Sequence, residues 1–154
     1  MVNMRTLLAV PFAALASQVA IAAPARRQLG DLQCNIDRGE IIFNVGQLAS
    51  TVASISNATG FASANNTADA DLKTLQTGVQ GVAGAVKGII LTLANGENAP
   101  PDLRTQVAHN LTDIRLALGN LSSSDNTTSA LLNMANTQLI NADLAATGVF
   151  TNCK

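Results

Sequence analysis

Four stretches of this chain carry apolar residues at alternating spacings of about three and four, and that rhythm restricts the fold more than anything else in it. The first holds Ile41, Val45, Leu48, Val52 and Ile55. The second holds Leu72, Leu75, Val79, Val82, Val86, Ile89 and Leu93. Leu103, Val107, Leu111, Ile114, Leu118 and Leu121 make the third, and Leu131, Ala135, Leu139, Ala142, Ala146 and Val149 the fourth. Such spacing lays one apolar stripe along a helix, whereas a half-buried strand would alternate. Ser56–Gly60 and Asn95–Gly96 punctuate the first two stretches, Pro100–Pro101–Asp102 opens the third, and Ser122–Thr128 is a polar connection before the fourth. The reading is helices near 31–56, 67–95, 101–121 and 128–150. An all-α fold follows, an up-down-up-down four-helix bundle whose short connections favour antiparallel neighbours.

The two cysteines fit that topology. Cys34 stands at the start of the first helix and Cys153 just beyond the fourth, so in such a bundle they meet at one pole. One disulfide joining the first and last helices is expected, which requires an oxidising compartment. With no C-x-x-C spacing and a single histidine, His109, neither a redox pair nor a metal site is expected.

The N-terminus points to the same compartment. Arg5 precedes the apolar run Leu7–Ala16, and small residues around Ala20–Ala23 suit signal peptidase, so 1–23 reads as a signal peptide. Residues 24–27 read as a short propeptide ending in the dibasic pair Arg26–Arg27, which resembles the cleavage site of Kex2-type fungal processing proteases. Cleavage there leaves one domain, 28–154. It carries six Lys and Arg against ten acids, a net charge of −4. Nucleic-acid binding, which needs a basic stripe, is not expected. No further apolar run or apolar tail suggests a stable membrane span or lipid anchor.

Five N-x-S/T sequons start at Asn57, Asn65, Asn110, Asn120 and Asn126, the pattern of a glycoprotein, with Asn110 placed mid-helix beside the apolar stripe. No catalytic residue and no cofactor are expected, because no recognisable nucleophile motif is present. Asp31, Asp37, Glu40, Asp69 and Asp71 are read as acids favoured by helix N-termini. The chain has no Trp or Tyr and only four Phe, so Leu, Ile, Val and Ala must fill the core, and an aromatic platform for sugars is poorly supported.

The second helix holds the most distinctive segment, residues 78–90, with Gly78, Gly81, Ala85 and Gly88 on one stripe beside Val79, Val82, Val86 and Ile90. Each interior glycine costs about 1 kcal/mol of helix propensity relative to alanine, so a compensating role is expected. Close helix–helix packing is one reading. A groove for an acyl chain between helices is a second, and a face laid on a hydrophobic surface is a third.

Signal peptide, dibasic propeptide, and an Ala/Val/Leu-rich helical domain with few aromatics and abundant Ser, Thr and Asn together resemble small secreted fungal proteins. Among these the whole mature chain looks loosely like the hydrophobic-surface-binding and cell-wall mannoprotein group. The resemblance implies a non-enzymatic helical protein of the extracellular space or cell wall, with a fatty acid, a hydrophobic surface or wall components as partners. The alternative is a glycosylated structural or effector-like interaction protein with a filled core and no small-molecule ligand.

Overall fold

The computed structural model describes residues 32–58, 61–63 and 68–153. The expected signal peptide, the propeptide with Arg26 and Arg27, and the sequon at Asn65 lie outside the described residues. The described chain is all-helical apart from two short strands. Its elements are α1 (Leu32–Ser56), β1 (Phe61–Ser63), α2 (Ala68–Ala94), α3 (Pro101–Asn120), β2 (Leu121–Ser123) and α4 (Asn126–Asn152). Helix α1 packs most extensively on α4, and α2 on α3, with smaller contacts closing the group.

Local chemistry accounts for the helix ends. Gly96 adopts a left-handed conformation (φ 80°), which lets its N–H donate to Leu93 O (3.0 Å) and Glu97 N–H donate to Thr92 O (3.1 Å). This pair of bonds is the Schellman stop, and it satisfies carbonyls that the end of α2 would otherwise orphan. Pro101 opens α3 at a position where its missing N–H has no intrahelical role. Helix α4 begins at Asn126, two residues before the expected boundary, because the Asp125 carboxylate accepts the Thr128 N–H at 2.8 Å.

The strands were not expected. Phe61, Ala62 and Ser63 pair antiparallel with Ser123, Ser122 and Leu121, tying the α1–α2 connection to the α3–α4 connection. The opposite pole carries the expected disulfide between Cys34 and Cys153, whose Cα atoms stand 5.0 Å apart across a sequence separation of 119. This placement of connections and bridge is compatible with a bundle, and a disulfide fits an oxidising compartment.

Leu48, Ile55, Leu75, Val82, Ile114 and Leu139 are the largest fully buried side chains. Each contributes about 1.5–3 kcal/mol through removal from water. Ala85, Ala117, Ala135 and Ala142 fill the space between them. Phe61 packs half-buried against this core, while Phe43 and Phe150 are exposed. Among the described residues α2 alone is long and apolar enough to cross a membrane, by length and composition, although no such run was expected beyond the N-terminus. Here it buries Leu75, Gly78, Val79, Val82 and Ala85 within the protein.

Candidate functional site

The glycine stripe of α2 faces α3. A Cβ placed on Gly78 would lie 2.6 Å from Ile114 Cγ1, one on Gly81 would lie 2.6 Å from the Asn110 carboxamide, and one on Gly88 would lie 2.8 Å from Leu103 Cδ1. Three side chains of α3 thus sit in three notches of α2, with Ala85 fully buried in the same row. Dense interdigitation of this kind accounts for the glycines, since a close approach of backbones offsets their propensity penalty. Val79 and Val82 are buried in the core, whereas Val86 and Ile90 are half-buried. The groove candidates are therefore brought together, but α3 side chains occupy the space beside the glycines. The depression that remains between α2 and α3 is open and partly polar, lined by Lys73, Thr74, Thr77, Asn110 and Asp113 among others.

The outer side of the α1–α4 pair is different. Phe43, 62 % exposed, and Leu144, 66 % exposed, line one depression together with Glu40, Asn44 and Asn141. Ile36 and Leu32 continue the row on α1 at helical spacing from Phe43, and Ile140 precedes Leu144 by four on α4. All are exposed. Helix α4 carries a single charged residue, Asp143, which pairs with Arg115 of α3. The rest of its solvent side is mostly Asn and Thr, such as Asn133, Thr137, Asn141, Thr147 and Thr151, with Met134 and Phe150 also exposed. Sequence periodicity missed this surface because a stripe search rewards the buried row and ignores a second apolar row on the back of the same helix.

A second feature hidden from the sequence lies near the disulfide. Asp37, read there as a helix-terminus acid, is 5 % exposed and faces α4. Its Oδ1 accepts from Gln33 Nε2 (2.8 Å) and its Oδ2 from Asn152 Nδ2 (2.7 Å). A Cβ on Gly148 would lie 2.6 Å from Asp37 Cγ, so only glycine leaves room for this carboxylate. Asp71 also corrects the dipole reading in part. It does stand in the first turn of α2, but it is buried and accepts from Asn120 Nδ2 at 3.2 Å. Both carboxylates are satisfied buried acceptors that fix contacts between elements.

The remaining polar groups are dispersed. His109 Nδ1 lies 3.0 Å from Asp113 on the exposed side of α3. Gln138 Oε1 is the one buried side-chain polar atom without a hydrogen-bond partner among the described residues. Thr128 lowers the pKa of Asp125 below the ordinary aspartate value of 3.8, because its backbone N–H, and then its side chain, donate to the carboxylate. No group of three or more His, Cys, Asp or Glu able to hold a metal occurs among the described residues. Of the sequons, Asn57 follows α1 and is exposed, Asn110 lies within α3, Asn120 ends α3, and Asn126 begins α4, exposed. Compared with known proteins, the chain matches no family model, no curated protein and no solved structure.

Proposed function

We propose that this chain is a secreted, glycosylated, non-enzymatic helical protein that binds neutral apolar surfaces, lipid interfaces included, through the outside of its α1–α4 pair. Its four helices run up-down-up-down, and its workplace is the extracellular space or cell wall. The observation that carries this reading is the exposure of Phe43, Leu144, Ile140, Ile36 and Leu32 on two adjoining helices. An apolar patch of this kind on a small domain marks an interaction surface. The scarcity of basic charge around it, with Arg38 on α1 offset by Glu40, selects the partner. An anionic membrane is met by flanking Lys and Arg, and α4 has none. A neutral oil, wax or zwitterionic lipid surface makes no such demand.

This places the apolar partner outside the bundle, in contrast to the acyl groove considered for Gly78–Ile90. The test is adsorption to a hexadecane–water interface by drop tensiometry, alongside binding to phosphatidylcholine vesicles. Wild-type protein should lower the interfacial tension, and the double variant Phe43→Ser/Leu144→Ser should lose most of that effect while melting as wild type does. Equal adsorption by both proteins would remove the α1–α4 surface from consideration. Uptake of a fatty acid into the folded protein, lost in Ala85→Leu, would restore the groove instead. The filled α2–α3 contact favours a second reading, an interaction protein recognised by its exterior and indifferent to lipid. It would be supported if wild-type protein leaves the interface untouched.

A further inference from the structure

The sequons are alike in sequence, yet the fold treats the four asparagines among the described residues differently. The carboxamide of Asn110, half-buried at the edge of the open depression between α2 and α3, lies against Gly81. Its Nδ2 donates to Gln106 O at 2.8 Å, and Nδ2, Oδ1 and Cγ all lie 2.6–2.7 Å from where a Cβ on Gly81 would stand. The amide is packed against the Gly81 backbone, between the Ile114 contact at Gly78 and the Leu103 contact at Gly88. N-glycosylation replaces one Nδ2 proton with a pyranose ring. A ring on this nitrogen crowds the Gly81 backbone, and relieving it by swinging the side chain out of the notch empties one of the three close contacts between α2 and α3. Asn57 and Asn126 face no such obstacle. Both are exposed, Asn57 beyond the end of α1 with its Nδ2 turned to Ala53 O, and Asn126 at the first turn of α4. Asn120 keeps one amide proton for Asp71 after modification, so its geometry does not sort it.

We infer that Asn110 is a packing residue whose sequon must stay unmodified for the bundle to close, and that Asn57 and Asn126 are positions at which the folded protein carries sugar. The inference rests on the secreted reading. Oligosaccharide is added to a chain before it folds, so a fraction modified at Asn110 fails to complete the α2–α3 contact and is held back. Gly81 and Asn110 then form a matched pair, in which the missing side chain on one helix houses the amide of the other.

The experiment expresses the full chain in a eukaryotic host in two forms, one with its own N-terminus and one behind a heterologous leader. Glycopeptides are then mapped in the released and retained fractions. In released protein, sugar is expected on Asn57 and Asn126, with Asn110 bare. Thr112→Ala removes the Asn110 sequon while leaving the amide in place, and Thr112 is exposed. It should raise the released yield without changing the glycan mass or melting temperature of the released protein. Released protein that carries sugar on Asn110 and melts as the bare form does would overturn the inference. So would released protein without sugar on Asn57 and Asn126, or a chain retained as a whole with Asn110 bare. If only the heterologous leader delivers the expected pattern, the secreted reading fails and the inference about Asn110 stands.

Discussion

The two helix pairs of this protein solve the same packing problem with different emphasis. Helices α2 and α3 come together by removing side chains: Gly78, Gly81 and Gly88 admit Ile114, Asn110 and Leu103. Helices α1 and α4 add bonds to their packing, namely the Cys34–Cys153 bridge and the hydrogen bond from Asn152 to the buried Asp37. The first pair relies on the shape of the folded state. The second adds a covalent constraint on the unfolded chain and a directional hydrogen bond. This second pair, which also packs most extensively, is the one that displays Phe43, Ile140 and Leu144 to solvent.

The largest expected effect separates these two means. Replacing Cys34 and Cys153 with alanine frees a loop of 119 residues, which removes about 4–5 kcal/mol in the chain-entropy model. Urea unfolding of the variant against the oxidised wild type measures it. A loss below about 1 kcal/mol would mean that α1 and α4 hold by packing as α2 and α3 do, and the contrast between the pairs would fall.

Next in size is Gly148→Ala. Its new methyl meets the Asp37 carboxyl carbon at 2.6 Å, and that carboxylate is pinned by two donors. Overpacking of this kind costs about 1–3 kcal/mol, against roughly 1 kcal/mol gained in helix propensity. In an Asp37→Ala background the obstructing atoms are gone, so the same glycine change should turn neutral or stabilising. A double-mutant cycle in urea reads the coupling. Purely additive changes would show that Gly148 and Asp37 are not the contact the geometry makes them.

The third prediction sharpens the account of α2. Gly84 lies on the same helix as Gly78, but a Cβ there meets nothing within 4 Å, whereas at Gly78 it meets Ile114 at 2.6 Å. Gly84→Ala should stabilise by up to about 1 kcal/mol through propensity alone. Gly78→Ala should destabilise, because Ile114 is fully buried and has little room to yield. Thermal melts of both variants suffice, and a shared sign would break the distinction.

These glycines also mark where the sequence was legible. The 3–4 spacing placed all four helices within about two residues of their ends, and the position of two cysteines at the extremes was enough to join α1 to α4. Both signals are local or depend on a single pairing. The partners of Gly78 and Gly88 were not legible, since choosing Ile114 and Leu103 requires the rotation of α3 about its axis. Asp37 was misread for a related reason: an acid near a helix start resembles a dipole residue until the facing Gly148 and Asn152 are known. The β1–β2 pairing escaped because three-residue strands in polar connections lack any alternation to detect. The outer row on α1 and α4 was visible as residues, but a helix that is apolar on two sides leaves the buried side ambiguous until its neighbours are placed.

The smallest effect concerns the pole without a disulfide. There the start of α4 is held by Asp125, whose carboxylate accepts the Thr128 N–H at 2.8 Å. That hydrogen bond depresses the folded-state pKa below the ordinary 3.8, so the cap favours folding fully above the unfolded value. Its contribution then fades as pH falls through the depressed folded value. Asp125→Ala should therefore lower the melting temperature slightly at neutral pH, and by progressively less in acid below 3.8. Asp125→Asn keeps an acceptor at the cap but cannot titrate. Its own stability should lie close to wild type at neutral pH and lack the acid dependence that the carboxylate produces, so the difference between the two should change as pH falls below 3.8. If Asp125→Ala instead cost the same at every pH, the cap would be held by geometry rather than charge. The start of α4 would then bring no pH dependence to the contrast with the bridged pole.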